Sequence, residues 1–177
     1  MPPETQSCLY MRLLGQKIME GSMKIAIFIL ASWLHLVATV VWIGGIVFIL
    51  FVAIPSSKEV LADKAGNIMG SITKRFSPLA NYSIIALIIT GVLISITDKN
   101  PLAFSLNNTS TIVFLAKHLI VLFMIIIHFY RGLMLAPKIA RAEGARKAGL
   151  AKLSLNLVKV NLCLGLAVLL LSAALAA

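Results

Sequence analysis

The chain has 177 residues, 60% of them hydrophobic and 12% charged, with a mean hydropathy of +0.99. Soluble domains run nearer half apolar and about a quarter charged. These proportions exclude a water-soluble globule and make lipid the fitting solvent. The net charge of +10 does not mark a nucleic-acid binder, because the cations sit mostly in short segments between apolar runs, where membrane proteins concentrate them.

Residues 1–24 are mixed and polar, and Met23-Lys24 forms a natural start just before the first apolar run. The segment reads as a poorly ordered tail or a start-site artefact. Cys8 and Cys163 stand far apart and form no CxxC or disulfide framework. The run after Lys24 is too long for a signal-peptide core and lacks a clear small-residue cleavage site, so it reads as a retained anchor.

Four apolar stretches follow, at 25–54, 78–96, 112–136 and 153–176. A span needs about 20 residues. The first stretch is longer and must tilt or protrude. Continuous apolar runs exclude a closed barrel and leave α-helices to satisfy the backbone. The expected fold is all-α, a polytopic four-transmembrane-helix bundle over 25–177.

The linkers differ. In 56–75, Leu61, Ala65, Ile68, Met69, Ile72 and Phe76 recur at helical spacing, with Lys58, Lys64 and Lys74 elsewhere. That pattern predicts an amphipathic surface helix between spans one and two. The segment 97–111 reads as a loop. The segment 137–152 holds Lys138, Arg141, Arg146, Lys147 and Lys152 against Glu143. The first and third linkers carry nine Lys and Arg, the tail and second linker four. The expected orientation puts both termini outside and those two linkers inside.

Polar residues inside the spans fall into stripes at 100° per residue. His35 shares a face with Ala31, Ala38, Thr39 and Trp42. Ser83, Thr90 and Thr97 align in the second span. Lys117, Met124, His128 and Arg131 align in the third, and Lys152, Asn156, Lys159 and Cys163 in the fourth. Turning each stripe inward gives a bundle with a polar interior. By helical rise, His35, Lys117 and His118 fall in the outer half, and His128 about 15 Å deeper, near Arg131, Asn156 and Lys159.

Lys117, Arg131 and Lys159 lie within spans that contain no Asp or Glu. Either they snorkel to headgroups, or an anionic ligand supplies the missing charge, such as a heme propionate, another small anion or a lipid phosphate. Each histidine is either a satisfied hydrogen-bonding group or a ligand for a metal or heme. His35 with His118 is the candidate metal pair, and His128, Lys117, Trp42 and Arg131 complete a candidate cofactor-binding set. Two imidazoles at similar depth beside cations suit a b-type heme somewhat better than copper, because the thioether pattern is thin for a copper relay. Hydrolase, nucleotide and zinc motifs are absent from the sequence.

The segment Trp33-Leu-His35-Leu-Val-Ala-Thr-Val-Val-Trp42-Ile-Gly44-Gly45 resembles the first motif of the copper-resistance D (CopD) membrane family. Arg75-Phe76-Ser77-Pro78-Leu79-Ala80, Thr90-Gly91, and Lys117 followed by Arg131 and Pro137 are similar to later parts of it. The resemblance implies a bacterial or archaeal cytoplasmic-membrane protein linked to copper handling, with an extracytoplasmic copper-binding or redox partner. The four spans here carry no fused copper-binding domain of the kind longer members have. His35 before Trp42, with Lys117 in the third span, is also similar to HemJ-type protoporphyrinogen oxidases, which bind heme, although their aromatic stretch and Arg at the end of the first span are missing.

Three readings stay open from the sequence. One is a heme- or metal-binding membrane protein centred on His35, slightly favoured with heme; porphyrin oxidation is a minor variant of it. Another is copper homeostasis or transport. The third is a cofactor-free accessory subunit of a larger membrane complex or homo-oligomer, suited by Gly44, Gly45, Gly91 and Gly165 as helix-contact points.

Overall fold

The computed structural model describes residues 3–61, 64–97 and 109–176, with side chains over 11–60, 64–96 and 111–174. Every element among them is helical. Helix α1 (Pro3–Phe48) runs through a π-helical segment (Ile49–Ala53) into α2 (Ile54–Leu61). Helix α3 spans Ala65–Thr97. Helix α4 (Thr109–Phe129) passes through a second π-helical segment (Tyr130–Leu135) into α5 (Ala136–Arg141), and α6 covers Gly144–Ala176. Among the described residues, four helical rods are long and apolar enough to cross a membrane. The protein is a multi-pass, all-α membrane protein.

Two stretches differ in shape from the sequence reading. The segment expected to be a loose tail is helical from Pro3, the first turns of the rod that becomes span one. The linker 56–75 is helical, but it does not form one separate surface helix. Its first part closes the first rod as α2, and 65–75 opens α3. Continuing an existing helix adds one hydrogen bond per residue, whereas starting a new one pays nucleation again. Of the second linker, residues 98–108 lie outside the described residues.

Both π segments end two residues before a proline, Pro55 in one case and Pro137 in the other. Proline has no N–H and its ring collides with the carbonyl four residues back. Those carbonyls belong to Phe51 and Leu133, inside the two π turns. Widening the turn relieves the collision without breaking the rod.

Helix α1 packs chiefly on α3, α4 on α6, and α1 also meets α6. The core joins Trp42, Ile43 and Ile46 to Ala80, Ile84, Met124, Val158 and Leu162. Small residues set the spacing. The Phe76 ring fills the space where a Cβ on Gly45 would stand, and a Cβ on Gly165 would come within 3.2 Å of Ile43 and 3.3 Å of Met124.

The expected inward stripes are met on three helices. Ala31, Ala38, Trp42, Ser83, Thr90 and Met124 are buried; Thr97 lies outside the described side chains. The fourth helix is a correction. Lys152, Asn156, Lys159 and Cys163 are exposed, and α6 turns Val158, Asn161, Leu162 and Gly165 inward instead. Burying two unpaired ammonium groups costs several kcal/mol each, and the apolar face of α6 fits the slot against Ile43 and Met124.

Candidate functional site

His35 is half-buried between α1 and α3, and its Nδ1 lies 2.8 Å from Thr90 Oγ1. Thr90 is buried, and its hydroxyl donates to the Ala86 carbonyl at 2.6 Å. A hydroxyl has one proton. With that proton given to Ala86, Thr90 accepts from His35, so the His35 proton sits on Nδ1. The Nε2 lone pair is then left for another partner.

Local sequence makes this geometry. Ala31 and Ala38 flank His35 on its face and are buried. Gly91 lies beside the ring, where a Cβ would make ordinary contact with His35 Cε1 at 3.7 Å. The Thr39 hydroxyl returns to the His35 carbonyl at 2.8 Å. Thr90 was visible in the sequence as part of a polar stripe, but no pattern in one chain pairs position 35 with position 90.

Lys117 is half-buried and, with His118, lies within electrostatic reach of His35. His118 is exposed. Its Nδ1 donates to the Phe114 carbonyl at 2.7 Å, and its ring stacks on Phe114 at 4.1 Å. Among the described residues, no hydrogen bond or ring contact joins it to His35. His35 and His118 thus each engage Nδ1 within the protein, His35 with Thr90 of α3 and His118 with its own helix.

His128 forms a second polar contact deeper in the bundle. Its Nε2 donates to Asn81 Oδ1 at 2.8 Å, linking α4 to α3. Trp42 stands edge-on to it, with ring centroids 6.1 Å apart. Arg131, in the second π segment, donates from Nε to Ser154 Oγ at 3.2 Å and ties α4 to the start of α6. Neither Asn81 nor Ser154 stands out in the sequence, because each lies among other polar residues, Tyr82 and Ser83 in one case and Lys152 and Asn156 in the other.

Trp42 Nε1 and Asn161 Oδ1 are buried without a protein partner. Among the described residues, no three His, Cys, Asp or Glu side chains converge as a metal cluster.

The fold and site define a class: a multi-pass helical membrane protein with two histidines, His35 and His128, each held by a hydrogen bond to another helix of the bundle. The family model for copper resistance protein D matches residues 70–175, which is 106 of the 177 positions. The chain belongs to the CopD family. The match takes in Thr90, Lys117, His118, His128 and Arg131, and starts beyond the first span with His35 and Trp42. Neither the curated proteins nor the solved structures gave a match.

Proposed function

We propose that the protein handles copper at the cytoplasmic membrane of a bacterium or archaeon, with copper as cargo that docks on His35 in the outer half of the bundle. The observation that carries this is the Thr90 hydrogen bond, which fixes the proton on Nδ1 and leaves Nε2 as an imidazole donor. Membership of the copper resistance protein D family supports the metal. Lys117 supports a charge state: an ammonium nearby disfavours a bare dication and favours Cu(I) or a copper complex that carries an anion.

A bis-histidine heme is the second reading: His118 is exposed, but its Nδ1 donates to the Phe114 carbonyl and so leaves Nε2 free as at His35, whereas His128 is engaged through Nε2 by Asn81.

The test is copper tolerance of cells expressing the wild-type chain or His35→Ala, beside Cu(I) binding and a visible absorption spectrum of the purified proteins. The expected result is a copper-dependent growth difference and Cu(I) binding, both lost in His35→Ala at equal protein level. A Soret band that disappears in the variant would replace copper with heme. Copper responses indifferent to His35 would leave an accessory role.

A further inference from the structure

A groove of about 410 Å³ runs between the end of the first rod and α6. One wall is Leu50, Phe51 and Ile54, and the facing wall Leu155 and Leu162; Lys58 and Lys159 stand one on each side. Residues 51, 54 and 58 share one helical face, and 155, 159 and 162 share another. The groove therefore follows from two stripes meeting. Lys159 lies inside an apolar run, and no span supplies a carboxylate. Both lysines are exposed rather than folded into the protein.

A second groove, about 290 Å³, repeats the arrangement with Leu133, Met134 and Pro137 against Lys138 and Arg141. Each groove borders a π turn that ends before a proline. Each combines an apolar wall with two cations at the end of a span.

We infer that the Lys58–Lys159 groove binds an anionic phospholipid, its phosphate between the two ammonium groups and an acyl chain along Leu50, Phe51 and Leu162. Charge complementarity selects the headgroup. The apolar lining at membrane depth selects a molecule with a hydrocarbon tail over a free anion. Basic residues near the bilayer surface each add measurable attraction for acidic lipid.

Native mass spectrometry of the full chain in detergent tests this with phosphatidylglycerol and phosphatidylcholine as probes. Wild type should retain phosphatidylglycerol in preference. Lys58→Gln with Lys159→Gln should weaken that retention about tenfold. Lys58→Arg with Lys159→Arg, and the charge-matched Arg146→Gln with Lys147→Gln, should keep it. Equal retention of the two lipids overturns the inference. So does an equal loss in the Arg146/Lys147 variant, which would mean diffuse charge, or displacement by glycerol 3-phosphate at equal concentration, which would mean a free-anion site. Should the double glutamine variant fail to fold, Lys58→Gln and Lys159→Gln singly carry the comparison, each expected to lose about threefold.

Discussion

His35 and Thr90 meet across the α1–α3 interface at 2.8 Å, and the Thr90 proton is already committed to Ala86 at 2.6 Å. One threonine thereby decides which imidazole nitrogen is free, although it stands on another helix.

Thr90→Val keeps the shape and removes the acceptor. The His35 proton loses its reason to stay on Nδ1, and a half-buried N–H is left unpaired. Stability should fall by about 1 kcal/mol, and Cu(I) binding should weaken about tenfold, while Thr90→Ser holds both near wild type. Thermal unfolding and Cu(I) titration in detergent check this. Unchanged copper affinity in the valine variant would separate the tautomer from the function.

Gly45→Ala places a methyl group inside the Phe76 ring. Overpacking of this kind costs about 1–3 kcal/mol. Phe76→Leu in the same chain should recover part of the loss. A melting temperature unmoved by Gly45→Ala would mean that α1 and α3 do not approach as closely as the ring contact requires.

Asn81→Leu takes away the acceptor for His128. Interhelical hydrogen bonds in membranes contribute about 0.6 kcal/mol on average, so a small drop in unfolding temperature is expected. Combining it with His128→Leu should cost less than the two single losses added, because both remove one shared contact.

Asn161→Leu tests the opposite case. Its Oδ1 is buried without a protein partner. Replacing it with an apolar side chain of similar volume should stabilise the protein by about 1 kcal/mol. Destabilisation would show that a bound molecule uses that oxygen.

Nine cations in the first and third linkers against four in the tail and second linker predict that both termini lie outside. In a Cys8→Ser, Cys163→Ser background, a membrane-impermeant maleimide added to intact cells should label Ser22→Cys and spare Glu143→Cys. Labelling in the reverse order would invert the topology.

The sequence by itself determined the solvent, the helix class and the number of spans. Those follow from run length and composition, which are properties of the chain alone. It also singled out His35 and Lys117, because a polar group in an apolar run must justify its burial. The two π turns had a readable signal in Pro55 and Pro137, whose effect on the preceding carbonyl is local. Tertiary structure alone decided the rest. Whether α6 turns its lysines inward or its Gly165 face inward depends on which surface fits Ile43 and Met124. The choice of Thr90 over every other hydroxyl as partner to His35 depends on how two rods cross at glycine and alanine. Periodicity assigns residues to a common face of one helix, but the partner that face meets is set by packing between helices, and a single sequence does not carry that pairing.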